Sequence, residues 1–114
     1  MNRAVDIIEA GGVLVSPAYA TFADAVAALV DLLIERGRLD ARLHDEAIEA
    51  VCERERLSST AMVEIGVSIP HARLHGVKGV IGALAASPTG VYQAMAGVPI
   101  SIVVLVLSSP ELAG

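Results

Sequence analysis

The run Ile100-Ser101-Ile102-Val103-Val104-Leu105-Val106-Leu107 constrains this chain more than any other stretch. It is nearly all apolar and β-branched, as expected of a strand covered on both faces. Such a strand needs neighbours in a sheet and helices laid over it. The composition agrees. Hydrophobic residues make up 54% of the chain but aromatic residues only 3%, so the core is built from Ala, Val, Leu and Ile. The fold class read from this is α/β. A chain of 114 residues suits one domain over 1–114, with no internal repeat, low-complexity tract or linker.

Two helices precede the strands. Thr21 to Gly37 carries Phe22, Val26, Leu29, Val30 and Leu33 at helical spacing. Thr21 is its cap, Asp24 completes a capping-box pattern, and Gly37 is the stop. A second helix spans about Asp40 to Arg56, with Leu43, Ala47, Ile48, Val51 and Cys52 as its apolar stripe. After Ser58-Ser59-Thr60 the period changes to two. Val63, Ile65, Val67 and Ile69 alternate with Glu64, Gly66 and Ser68, which reads as a half-buried strand. Pro70 cannot donate to a ladder and ends it. A further strand is expected within Val77–Ala86, then a turn at Ser87-Pro88-Thr89-Gly90. The predicted order is helix, helix, strand, strand, strand.

Charge and hydropathy exclude some functions. The net charge is -5 and no Lys/Arg cluster forms a track for a phosphate backbone, which argues against nucleic-acid binding. Mean hydropathy is positive, yet the longest apolar runs, Ala25–Val30 and Ile102–Leu107, fall far short of the ~20 residues of a spanning helix. Asp6 and Glu9 interrupt the start, so no signal-peptide core is read there. These features predict a cytoplasmic protein without membrane insertion. The lone Cys52 sits among helix-core residues and reads as packing rather than chemistry.

Chemistry concentrates at "GVSIPHARLHG", residues 66–76. A rigid Pro70 at a strand end fixes the backbone of His71, as a presented reactive group requires. Straight continuation of the alternation would turn His71 toward the core, but the proline leaves its direction open. His71 and His75 are four apart, yet Pro70 and Gly76 bracket them and no carboxylate or Cys stands near in sequence, so no metal site is expected. No nucleophile elbow accompanies His71 as a general base for Ser68 or Thr60. His71 can instead be the nucleophile, since a free imidazole with a pKa of about 6.5 is mostly neutral at pH 7. A phosphohistidine would need cations and donors around it, and Arg73, Arg54, Ser68 and Thr60 are the candidates. Arg54 falls on the apolar side of its helix near the end. It can bond the last turn's carbonyls or face an anion, and spacing alone favours the first.

At this point the chain resembles a known family. "CERERLSSTAMVEIGVSIPHARLHGVKG" is similar to the signature segment of the fructose/mannitol-type enzyme IIA domains of the bacterial phosphotransferase system, most of all their nitrogen-regulatory branch. The matching residues are Arg54-Glu55-Arg56, Ser59-Thr60, Gly66, Ile69-Pro70-His71 and Ala72-Arg73. Downstream, "SPTGVYQAMAGVPISIVVLVLSSPE" resembles the family's loop and central strand. The resemblance implies a mixed β-sheet flanked by helices. It implies phosphorylation of His71 by an HPr-type carrier protein, with Arg54 as the active-site arginine and no organic cofactor. A IIB domain or a regulatory target would be the onward partner.

Three departures stand out. The stretch from Arg54 to His71 is one residue longer than the usual pattern, a length that a bulge can absorb. Met62-Val63-Glu64-Ile65 replaces a glycine-rich step. The family's second histidine, beyond the apolar strand, has no counterpart before the sequence stops at Gly114. A form shortened in this way would lack terminal helices and leave a sheet face uncovered, which favours a homo-oligomer or partner domain. The expected function is therefore phosphoryl transfer through His71, with Arg54 and Arg73 offsetting charge and Ser68 or Thr60 donating to a phosphate oxygen. The alternative is a regulatory binding module on the same fold that has lost turnover.

Overall fold

The computed structural model describes residues 3–110. The reading of where the sequence stops falls largely on 111–114, which lie outside the described residues. The elements are α1 (Ala4–Gly11), β1 (Val13–Val15), α2 (Phe22–Glu35), a 3-10 turn (Ala41–Leu43), α3 (His44–Leu57), β2 (Val67–Ser68), β3 (His71–Arg73), β4 (Val80–Ala86), β5 (Tyr92–Gln93), a second 3-10 turn (Met95–Gly97), β6 (Pro99–Ile100) and β7 (Ile102–Ser108).

The main sheet runs β1-β4-β7, and β2 and β3 both pair with the far side of β7. The β4–β7 pair is antiparallel; β1, β2 and β3 are parallel to their neighbours. The sheet is therefore mixed, as expected. The apolar run became β7, but its two faces differ. Val103, Leu105 and Leu107 are wholly buried and meet the core residues of α2 and α3, among them Val26, Leu29, Val30, Leu33, Ala47 and Val51. Ile102, Val104, Val106 and Ser108 alternate with them and are only partly covered.

Both predicted helices form. The Thr21 hydroxyl oxygen accepts from the Asp24 backbone N–H at 3.0 Å, capping α2. Past its end, the Gly37 N–H donates to the Ile34 carbonyl at 3.0 Å. Asp40 caps the 3-10 turn, its carboxylate accepting from the Arg42 N–H at 2.9 Å, and α3 follows.

The expectations missed α1 and β1. Helix α1 lies across β4, where two glycines let the backbones meet. A Cβ on Gly11 would stand 1.7 Å from the Gly82 carbonyl oxygen. Strand β1, with only three residues, is too short for periodicity to reveal.

The strand expected over Val63–Ile69 is corrected. Only Val67–Ser68 pairs with β7, and residues 63–66 form a turn closed by the Met62 N–H donating to the Val67 carbonyl at 2.7 Å. Gly66 completes the turn at φ 66°, in the region that suits glycine. The faces are reversed as well. Ser68 pairs with Val103 and is wholly buried, while Val63, Ile65 and Ile69 are exposed. The core face is set by the register on β7, and it takes the even residues of this stretch, not the apolar odd ones.

Candidate functional site

That reversal decides where His71 faces. In β3, His71 pairs with Val106 and Arg73 with Ser108. Both β7 partners belong to the partly covered face, so His71 and Arg73, two residues apart, lie on it together. Pro70, buried, holds the entry to β3, and its carbonyl accepts from the Val106 N–H at 3.0 Å.

His71 lines an open cavity of about 630 Å³ with Arg54, Ile69, Ala72, Arg73, Val80, Val106 and Ser108. Residues from the end of α3 and from three strands therefore converge there. Arg54 and His71 line one cavity, with the turn at 63–66 lying between them in the chain. Arg54 combines the two roles that spacing left open. Its Nη1 donates to the Ser58 carbonyl at 2.9 Å at the helix end, and the same half-buried side chain forms the cavity wall. That bond uses one of the five guanidinium N–H groups. Neither Arg54 nor Arg73 pairs with a carboxylate among the described residues. Two guanidinium groups without a carboxylate partner, beside apolar Ile69, Val80 and Val106, can attract an anion.

The imidazole is held at one nitrogen. Nδ1 of His71 lies 2.7 Å from the Ile69 carbonyl oxygen. A carbonyl only accepts, so in the neutral ring the proton sits on Nδ1 and Nε2 keeps its lone pair. A nucleophilic nitrogen, two free cations and an open cavity are what acceptance of a phosphoryl group requires.

Ser68 and Thr60, expected as phosphate donors, are held elsewhere. The Thr60 hydroxyl donates to Glu55 Oε1 at 2.8 Å, and its backbone N–H donates to Glu55 Oε2 at 2.8 Å. Ser68 Oγ lies 3.2 Å from Thr60 Oγ1. With the single Thr60 hydroxyl proton engaged by the carboxylate, Ser68 donates in that contact. Each hydroxyl proton thus has a protein acceptor, and neither residue lines the His71 cavity. Ser68 faces the core and also shares a hydrogen bond with the phenol of Tyr92, which burial pushes up.

His75 stands exposed in the loop after β3, away from the cavity lining. Among the described residues no group of three or more His, Cys, Asp and Glu could hold a metal ion, and no helix is long and apolar enough to cross a membrane. Cys52 is half-buried against a second, apolar cavity that also contains Phe22 and Tyr92. Desolvation pushes its thiol up, with a smaller contribution from the charge of Glu55. Sequence reasoning missed the Ile69 carbonyl, which carries no side-chain signal. It also gave no role to Glu55, although its five-residue spacing to Thr60 was there to be read.

The family model described as phosphoenolpyruvate-dependent sugar phosphotransferase system, EIIA 2, matches residues 6–113. The chain belongs to this family. Solved structures carry the same fold as this EIIA 2 domain. The nitrogen regulatory protein IIA-Ntr from Neisseria meningitidis is 28% identical, with a TM-score of 0.71 over 90% of this chain and 68% of its own. Mannitol IIA from Escherichia coli is 19% identical, with a TM-score of 0.62 over 90% of this chain and 72% of its own. A complex of enzyme IIAMtl with phosphorylated enzyme IIBMtl, also from Escherichia coli, matches at 17% identity and a TM-score of 0.65, over 88% and 69%. The last two likenesses concern the fold alone. No curated protein matches the chain.

Proposed function

We propose that this EIIA 2 domain accepts a phosphoryl group on Nε2 of His71. The Nε2 lone pair attacks the phosphorus of a phosphohistidine on an HPr-type carrier. As the new N–P bond forms, the bond to the donor imidazole breaks and its electron pair returns to the donor nitrogen. His71 keeps its Nδ1 proton on the Ile69 carbonyl during the attack, so the phosphorylated ring forms as an imidazolium, and a donor ring protonated at its other nitrogen leaves as a neutral imidazole. Arg54 and Arg73 offset the charge on the phosphoryl oxygens as it arrives and stays.

The observation that carries this reading is the 2.7 Å contact between Nδ1 and the Ile69 carbonyl, made in a cavity lined by two guanidinium groups that have no carboxylate partner among the described residues. The phosphoryl group would then pass to a IIB domain, the kind of partner seen with the mannitol relative, or remain as a regulatory switch. The exposed Val13, Val15 and Ile102 lie on the same sheet face as His71 and support self-association or a partner domain there.

The test is intact mass after incubation with a phosphorylated HPr-type protein. The wild-type chain gains one acid-labile phosphoryl group and His71→Ala gains none. No gain in the wild type, where a known acceptor reacts, removes the reading. A regulatory module is the second reading, favoured by Val63 and Ile65 exposed on the turn that replaces the glycine-rich step. Partner capture that is indifferent to His71→Ala would support it.

A further inference from the structure

Side chains between the end of α3 and β2 form one chain of hydrogen bonds that ends at Ser68, the residue before Ile69. Glu55, in the last turn of α3, accepts three. Oε2 takes the Ser59 hydroxyl at 2.9 Å and the Thr60 N–H at 2.8 Å, and Oε1 takes the Thr60 hydroxyl at 2.8 Å. A carboxylate offers only acceptor sites, so these donors have one possible orientation. Thr60 then presents a lone pair, not a proton, to Ser68, whose hydroxyl donates across the 3.2 Å contact. The order runs Ser68 to Thr60 to Glu55, and its direction is imposed by the carboxylate at its end.

This chain ties the end of α3 to β2 one residue before Ile69. Ser68 is wholly buried on the helix-facing side of the sheet, so its rotation about the strand is also fixed by packing. On the other side of Ile69, Pro70 is buried with φ restricted by its ring, and its carbonyl is bound to Val106. The Ile69 peptide is thereby clamped between two anchored residues, and its carbonyl oxygen points at Nδ1 of His71.

We propose that Glu55 is a positioning residue for His71: through Thr60 and Ser68 it aims the Ile69 carbonyl, which keeps the imidazole in the Nδ1–H form and leaves Nε2 as the nucleophile. The functional part of this inference rests on His71 being the phosphoryl acceptor; the tautomer part does not. Glu55 touches no reacting atom and is not part of the cavity lining. A carboxamide at this position breaks the order, because its single oxygen cannot take all three donors and its NH2 group opposes one of them.

The experiment records the side-chain 15N spectrum of His71 in the donor-free chain at about pH 8, where a free imidazole is neutral. Melting temperature is followed in parallel. Wild-type protein shows the Nδ1–H tautomer. Folded Glu55→Gln shows a mixture of both tautomers and loads phosphoryl between about 10- and 100-fold more slowly, the scale of a small misplacement. Thr60→Ser keeps the hydroxyl and restores the wild-type spectrum, whereas Thr60→Val reproduces the mixture. Should Glu55→Gln fail to fold, Thr60→Val decides in its place. A folded variant of either kind that retains the pure Nδ1–H form overturns the proposal. A wild-type chain that shows Nδ1–H yet takes no phosphoryl group overturns the proposed function and leaves the positioning role standing.

Discussion

Ser68 and His71 lie three residues apart and face opposite sides of the sheet. Ser68 pairs with Val103 on the face covered by α2 and α3, and His71 pairs with Val106 on the partly covered one. That division separates two tasks. The hydroxyl side holds the strand in place, and the imidazole side meets the cavity with Arg54 and Arg73.

The two arginines are expected to differ in weight. Arg54 is half-buried and held at the helix end, whereas Arg73 is exposed. Arg54→Ala should slow phosphoryl loading on the order of 10²-fold, the usual loss for one fixed donor to a developing charge. Arg73→Ala should slow it about threefold at low salt and less as salt rises, since exposed charges are screened. Rapid-quench loading at two ionic strengths checks both, and an equal loss from the two variants would contradict the assignment.

Gly11→Ala should be among the most damaging single-methyl additions. The new Cβ would sit 1.7 Å from the Gly82 carbonyl oxygen, so α1 must lift from β4. A cost of about 3 kcal/mol is expected, which corresponds to a Tm lower by about 10 °C or more for a domain this size. Gly37→Ala meets no atom within 4 Å and costs only its backbone strain at φ 73°. Paired thermal melts test the contrast.

His44 gives α2 and α3 a pH-dependent tie. Its Nδ1 lies 2.6 Å from Asp45 and its Nε2 3.0 Å from Asp31 on α2. Its pKa is raised, chiefly by the hydrogen bond to Asp45, against some opposing desolvation. A raised folded pKa means protonation favours the folded state. The stabilisation is therefore complete below the unfolded value of about 6.5 and fades as pH rises through the folded value. The Tm difference between wild type and His44→Gln should be larger at about pH 5 than at about pH 8; the reverse order would exclude the tie.

Cys52 should be a sluggish thiol. Burial pushes its ionisation up, so the thiolate fraction near neutral pH falls below that of a free cysteine. Alkylation at about pH 8, where a free thiol with a pKa of about 8.5 is partly ionised, should run slower than for glutathione and accelerate when the chain is unfolded. Mass spectrometry over time measures both rates.

Much of the scaffold could be read from residue order. The spacing of Val26, Leu29, Val30 and Leu33 marked α2, with Thr21 as its cap, because a long amphipathic helix writes its period many times. The motif around Pro70-His71-Ala72-Arg73 pointed to the family and to the histidine that lines the cavity. The alternation over Val63–Ile69 does not mark a strand along its whole length, because a turn with exposed Val63 and Ile65 imitates alternation over so short a span.

Local sequence determined which side chains are available to the candidate site and the sheet: an imidazole behind a rigid proline, guanidinium groups before and after it, and the apolar run of β7. Local pattern reaches only a few residues, and it assigned the core face of β2 wrongly. Tertiary structure alone decided that face, through pairing with β7 residues more than thirty positions away. The same pairing turned Ser68 inward and His71 outward, brought Arg54 to the His71 cavity, and set a backbone carbonyl against Nδ1. Carbonyl groups are identical at every position, so only the fold could set this one against the His71 ring.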